Sequence, residues 1–397
     1  MTSLPPSSPA AVRAAALVVA VGVTCALHIG KLPVAIPALQ SGLGVSLVQA
    51  GFLLSLVQLA GMALGLFVGL AADRLGPRRV MLFGLMGLAV GSAWGAMALS
   101  PTDLLASRAL EGLGFLLAVL PAPGLIRRHV ADQRLLAKAL GWWGAYMPLG
   151  TALALLLGAP VIEWLGWRAV WLGLTACSLL ALVALWRGLP PDMALAGQGA
   201  PLGPRVRRTL AAPGPWLVAL AFFLYSGQWL AVVGFLPTIL SQAGFGGLAA
   251  GVLSAGAAAV NMAGNIGAGR WIARGGRPRF VMGFAYLAMG FGAMLAFGLR
   301  DVPVVQYLAI LAFSGLGGLI PGTLFGLAIR LAPGEDTIST TVGWMQQFSA
   351  LGQFVGPPFV AWVATQMGGW QLTWVVTGAA SLLGLWVAHR IQRTLPA

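Results

Sequence analysis

The sequence predicts an all-α integral membrane protein, with twelve transmembrane helices in two pseudo-symmetric six-helix bundles. Three observations lead there. Of 397 residues, 59% are hydrophobic and 8% charged, whereas a soluble domain carries about 25% charged residues. A soluble chain of this length has no core large enough to hide that apolar surface. Apolar runs of roughly 18 or more residues recur throughout, each able to cross about 30 Å of hydrocarbon at 1.5 Å per residue. Finally, the chain repeats itself at half-length: Gly69, Arg74, Gly76 and Arg79 recur in order and spacing as Gly269, Arg274, Gly276 and Arg279. Pro37, Gly51 and Pro121 likewise recur as Pro237, Gly251 and Pro321, and "GWWGAYMPLG" (141–150) lies over "GWMQQFSALG" (343–352).

The spans fall near 13–39, 46–71, 79–99, 103–126, 137–160, 168–187, 215–240, 247–270, 279–299, 304–330, 338–365 and 371–389. They divide the chain into a tail (1–12), a first bundle (13–187), a linker (188–214), a second bundle (215–389) and a final tail (390–397). The tail opens "MTSLPPSSP" and reads as disordered, and the apolar run after it is too long for a signal-peptide core. The linker, "RGLPPDMALAGQGAPLGPRVRRTLAAPGP", is rich in Pro, Gly and Arg and lacks hydrophobic periodicity, as expected of a segment on the membrane surface.

The net charge of +14 does not indicate nucleic acid, because the basic residues punctuate the apolar runs rather than cluster on one soluble domain. Of the 23 Lys and Arg, Arg168 and Arg300 sit at one end of the spans and Lys31 and Arg108 within them. The rest fall in the tails and loops on the other side, which the positive-inside rule assigns to the cytoplasm together with both termini. Cys25 and Cys177 lie inside spans, so no disulfide framework is indicated. No metal cluster, nucleotide loop or catalytic triad stands out, and no cofactor is expected.

The loop after span two reads "GLAADRLGPRR", Gly69 to Arg79. It resembles the G-x-x-x-D-R-x-G-[RK]-[RK] signature of the major facilitator superfamily, with Gly69, Asp73, Arg74, Gly76, Arg78 and Arg79 on the motif and Pro77 where a basic residue is frequent. The resemblance implies a cytoplasmic gate in which Asp73 caps a helix or pairs with an Arg while Arg74, Arg78 and Arg79 face headgroups. Ala273 replaces the Asp in the second half, so the brace is asymmetric. "SRALEGLG" (107–114) is similar to the family's span-four pattern. "GAYMPLGT" half matches its antiporter motif, because Met147 stands where Gly is expected. At subfamily level the likeness is to bacterial importers of small anions such as cyanate.

The resemblance implies a monomeric secondary active transporter of the bacterial inner membrane, rocking two halves about a midplane site. Polar residues inside the spans are the candidates for that site. "TCALHIGKLPVAIPALQ" (24–40) carries His28 and Lys31 one turn apart on one face, and an intramembrane charge is by default a functional-site hypothesis. Span seven, its repeat mate, carries "LYSGQWLA". Tyr225, Gln228 and Trp229 are therefore expected opposite His28 and Lys31, with Asn261 and Gln346 completing a cavity for a small, anionic solute. The bland alternative has Lys31 snorkelling and His28 bonding a backbone carbonyl.

Arg108 and Glu111, also one turn apart, read either as a fixed ion pair or as a proton-coupling pair assisted by His28. Asn265, Gln347 and Gln353 suit interhelical hydrogen bonds. Trp142, Trp143 and Tyr146 suit packing or the cavity wall, and Trp164, Trp167, Trp370 and Trp374 suit an interfacial belt. Two further functions stay open: a proton-coupled drug or metabolite exporter, and a non-transporting membrane sensor or enzyme.

Overall fold

The computed structural model describes residues 9–192, 202–299 and 302–395. The first half consists of α1 (Pro9–Leu43), α2 (Leu47–Ser55) running through a 3₁₀ turn into α3 (Leu59–Leu75), α4 (Pro77–Ala96), α5 (Pro101–Val119), α6 (Ala122–His129), α7 (Gln133–Gly144), α8 (Tyr146–Leu165) and α9 (Trp167–Gly188). After α10 (Leu202–Ala211), the second half follows with α11 (Pro213–Gln242), α12 (Gly247–Ala273), α13 (Pro278–Gly298), α14 (Pro303–Gly317), α15 (Leu319–Arg330), α16 (Ile338–Gln366) and α17 (Thr373–Thr394).

Eleven segments among the described residues are long and apolar enough to cross a bilayer, where twelve were expected. The exception is α16, which has 29 residues but carries Ser, Thr and Gln along its length. It packs against α11, α2 and α3, where Gln347 and Gln353 find hydrogen-bond partners on the other half. Several spans differ from simple rods. Spans four and ten each break into two helices, α5/α6 at Pro121 and α14/α15 at Gly318, close to Pro321. Proline donates no backbone N–H and crowds the preceding turn, and its recurrence in both halves puts both breaks at the same level. Span five breaks at Ala145 inside "GAYMPLGT".

Helix continues past the expected span ends, since α1 starts at Pro9 and α17 runs to Thr394; the rest of the first tail (1–8) and linker residues 193–201 lie outside the described residues. Part of the linker is also helical. Arg205 of α10 donates to the Asp336 carbonyl (2.6 Å) and the Ser339 hydroxyl (2.7 Å), and Arg208 pairs with the Asp336 carboxylate at 2.8 Å.

Helix pairings obey the internal repeat. In the first half α1 packs on α8 and α9, and α4 on α5 and α9; in the second, α11 packs on α16 and α17, and α13 on α14 and α17. The halves meet through two matching seams, α8 on α12 and α16 on α2/α3, with α1 beside α11. With lipid outside, such contacts depend on close approach and interhelical hydrogen bonds rather than a hydrophobic drive. A Cβ on Gly51 of α2 would lie 2.8 Å from Pro358 Cα of α16, and one on its repeat mate Gly251 of α12 would lie 3.0 Å from the Leu155 carbonyl of α8. Deeper in the α16 seam, Gln58 donates to Gln353 (3.1 Å) and Gln347 to the Met62 carbonyl (3.3 Å).

Both glycine contacts lie at the end of the molecule remote from the termini, so the two halves are closed there. A side chain at either position must spread that end. Gly51→Leu or Gly251→Leu is predicted to lengthen the spin-label distance between the Ser46 end of α2 and the Gln366 end of α16, with helical content retained. An unchanged distance would show that these contacts do not hold the end shut.

Candidate functional site

The polar residues of the first half converge on one carboxylate. Glu111 of α5 places Oε1 on the Lys31 ammonium and Oε2 2.5 Å from Arg108 Nη1. All three side chains, and His28, are fully buried. Lys31 also donates to Ser92 Oγ of α4 at 3.0 Å and lies 4.5 Å over the Trp171 ring of α9. Ser92 in turn donates to the Trp171 carbonyl at 2.8 Å, which leaves its lone pairs for Lys31. The three N–H directions of the ammonium are thus spent on a carboxylate, a hydroxyl and a π face.

Arg108 clamps three helices. Its Nε donates to the Leu53 carbonyl of α2 (3.1 Å) and Nη1 to the His28 carbonyl of α1 (2.9 Å), while Nη2 has no partner. His28 Nδ1 faces Glu111 Oε1 at 3.4 Å and Nε2 faces Ser178 Oγ of α9 at 2.8 Å. With Glu111 ionised, Nδ1 carries the proton and Nε2 accepts from the serine hydroxyl. Glycine makes room for this arrangement: a Cβ on Gly91 of α4 would come 2.8 Å from Glu111 Cγ.

The second half repeats the scaffold without the charges. Gln228, the mate of His28, accepts from Ser381 Oγ of α17 at 3.2 Å, as His28 meets Ser178 of α9. "SGLG" (314–317) of α14 lies over "EGLG" (111–114), so Ser314 stands for Glu111. It accepts from Trp229 Nε1 at 2.9 Å. Asn261 Nδ2 of α12 donates to the Ser314 carbonyl (2.7 Å) and the Tyr225 hydroxyl (2.9 Å), and Asn265 Nδ2 donates to Asn261 Oδ1 (3.0 Å).

The expected residues are therefore brought together within each half but not across the halves. His28 and Lys31 meet α4, α5 and α9; Tyr225, Gln228, Trp229 and Asn261 bond within α11, α12, α14 and α17. Gln346 is exposed on α16 and joins neither group. Lys31 does not snorkel, because the carboxylate that neutralises it lies inside the bundle. Trp164 is exposed, as a belt residue should be, whereas Trp167 is buried edge-on against Trp171. Ser92, Trp171 and Ser178 were missed. The recurrence of Ser178 as Ser381 in the sixth span of each half was a faint signal for that residue alone; nothing in the pattern singles out Ser92 or Trp171.

In the gate motif, the backbones of Gly69, Asp73 and Arg74 lie in α3, and their side chains lie outside the described residues. Gly76 precedes α4 with φ +92°, a conformation suited to glycine. Asp192 of the linker caps the start of α4: its oxygens accept from the amides of Arg78 (3.2 Å) and Arg79 (2.9 Å).

Two formal cations share one carboxylate, and this predicts an ordered mutant series. Glu111→Gln leaves Lys31 and Arg108 unpaired, which costs about 3–5 kcal/mol when a buried pair loses one partner. Lys31→Met leaves Glu111 and Arg108 matched one to one and is predicted to cost less. Lys31→Met/Glu111→Gln should regain stability over Glu111→Gln alone. Thermal unfolding of detergent-purified variants reads the order, and equal losses for the two single substitutions would refute the charge count.

Comparison with known proteins fits this architecture. The family model of the Major Facilitator Superfamily matches residues 15–352. Monocarboxylate transporter 11 of Mus musculus is 29% identical over 352 residues, spanning 82% of this chain and 75% of that protein. A chloramphenicol resistance protein of Streptomyces lividans is 31% identical over 331 residues (79% of this chain, 81% of that protein). The cephamycin export protein CmcT of Amycolatopsis lactamdurans is 29% identical over 370 residues (85% and 74%). Among solved structures, an inward-facing, unoccupied bacterial homologue of the human lysosomal transporter Spinster superposes with TM-score 0.80 at 16% identity, covering 98% of both chains. The fold, the half-length repeat and the family match together show that this chain is a multi-pass transporter of the Major Facilitator Superfamily.

Proposed function

We propose that this transporter moves a small organic anion carrying one carboxylate, and that it does so through the Lys31–Glu111–Arg108 cluster. The observation that carries the reading is the charge count: two buried cations face one carboxylate, and Arg108 Nη2 has no partner. A buried charge without a counter-ion is costly, so the net positive cluster attracts an anionic solute. Lys31 suits a small anion of variable orientation, because its ammonium is a point charge. The monocarboxylate transporters among the relatives support the same solute class.

Glu111 is the coupling group in this reading. Protonation removes its charge from Lys31 and Arg108 together, and both cations become available to a solute carboxylate. Return of the anion to solution restores the internal pairs when Glu111 releases its proton. His28, held by Ser178, keeps a ring nitrogen on the same carboxylate oxygen and positions it. The two halves then rock about the α8/α12 and α16/α2 seams. The positive-inside distribution supports cytoplasmic termini, and an inner membrane of a bacterium suits the whole.

A second reading is export of a drug or metabolite. The chloramphenicol resistance and cephamycin export proteins among the relatives favour it. The two are separated by ligand-induced stabilisation, since a compound that binds the folded form raises its stability, by about 2.7 kcal/mol at one hundred times its Kd. Acetate, pyruvate or lactate is predicted to raise the unfolding temperature of the wild type but not of Lys31→Met. Stabilisation by lipophilic cations alone, or by carboxylates equally in both proteins, would overturn the anion reading in favour of the exporter.

A further inference from the structure

A second cationic feature lies well apart from the transport cluster, where α4 begins and α9 ends. A groove of about 520 Å³ opens there, lined by Arg78, Trp186, Arg187, Gly188, Leu189 and Pro190. Both helices are membrane spans, Pro77–Ala96 and Trp167–Gly188, so the groove stands at the level where a span leaves hydrocarbon for headgroups.

Arg78 is 6% exposed. Its Nη2 donates to the Trp186 carbonyl at 2.5 Å, its Nε has no partner, and no carboxylate pairs with it among the described residues. The nearby acid, Asp192, is occupied by the amides of Arg78 and Arg79. The start of α4 is therefore already capped, and the guanidinium has no counter-ion among the described residues. A buried cation in that condition favours an anion within reach. Arg187 and Trp186 are both exposed on the groove, one supplying a second fork of N–H donors and the other an amphipathic ring of the kind enriched at membrane interfaces.

The other half carries arginines at the same two helix ends, though not in the same register. Arg279, the repeat mate of Arg79, opens α13 with its Nε buried and unpartnered and its guanidinium over the Phe280 ring, and Arg390 lies near the end of α17. The two helices pack together as α4 and α9 do.

We propose that the Arg78–Arg187 groove is a binding site for a phosphate oxyanion, supplied in the membrane by the headgroup of an anionic phospholipid. The chemistry is that of guanidinium forks on phosphate oxygens, with the acyl chains running down the apolar faces of α4 and α9. Zwitterionic lipid meets the same groove with its own ammonium beside the arginines and gains less.

The test uses the full chain in neutral detergent, titrated separately with phosphatidylglycerol, phosphatidylcholine and inorganic phosphate, and reads the unfolding temperature. Each variant is compared with its own ligand-free value, so a loss of basal stability in Arg78→Gln does not enter. Phosphatidylglycerol is predicted to stabilise the wild type, and Arg187→Gln to raise the half-saturating concentration about tenfold, as expected for loss of one charge-assisted contact. Arg207→Gln, an exposed arginine elsewhere in the linker, should leave the titration unchanged. A response to inorganic phosphate that Arg187→Gln also weakens would support the site with free phosphate as its source. The proposal is overturned if Arg187→Gln and Arg78→Gln both titrate like the wild type, if Arg207→Gln weakens binding as much as they do, or if phosphatidylcholine acts as strongly as phosphatidylglycerol.

Discussion

The Glu111 carboxylate is the constraint around which the first half is built. An isolated charge at that depth is not tolerated, so α1 must bring Lys31, α5 must bring Arg108 one turn away, and α4 must approach closely enough for both to reach it. Close approach requires Gly91, because a larger residue occupies the space of the Glu111 stem. Arg108 then needs further acceptors, which the backbone carbonyls of Leu53 and His28 provide. Lys31 needs a third partner, which becomes the Trp171 face. Five helices are thereby fixed by one acid.

The same skeleton occurs in the second half with every charge replaced. Gln228 stands for His28, Ala231 for Lys31 and Ser314 for Glu111, yet the hydrogen bonds from Ser381 to Gln228 and from Trp229 to Ser314 retain the geometry. A neutral network of this kind stabilises helix packing by modest amounts, about 0.6 kcal/mol per bond on average, and presents nothing that titrates near neutral pH. Electrostatic response is therefore concentrated in one half. In the proposed mechanism, protonation of Glu111 would loosen the contacts among α1, α4, α5 and α9 and leave the neutral network of α11, α12, α14 and α17 unchanged. That asymmetry gives a symmetric scaffold a direction in which to respond.

Much of this was legible in the sequence. Spans follow from length and hydropathy, and the half-length repeat pairs Pro121 with Pro321 and Gly51 with Gly251; that the first pair lies at helix breaks and the second at contacts between the halves emerges only in the structure. His28, Lys31, Arg108 and Glu111 stood out because ionisable residues inside apolar runs are conspicuous. Their partners were harder to see. Helical spacing assigns residues to a face but not to a neighbour, so Lys31 was expected opposite α11, whereas Glu111 draws it toward α4 and α9. Ser92 and Ser178 are ordinary in composition and acquire meaning only when a cation or an imidazole arrives beside them. Asp192 could not be assigned to the cap of α4 by pattern, since the contact joins the end of span six to the start of span three.

The central claim is that Glu111 gives up Lys31 and Arg108 to a solute carboxylate by taking a proton. Proton uptake on anion binding, followed in weakly buffered detergent solution near neutral pH with a pH indicator, tests it most directly. By linkage between the two binding equilibria, about one proton should be taken up per carboxylate bound in the wild type. Glu111→Gln should bind the anion with no uptake. Anion binding by the wild type without proton uptake, or uptake that persists in Glu111→Gln, would contradict the account.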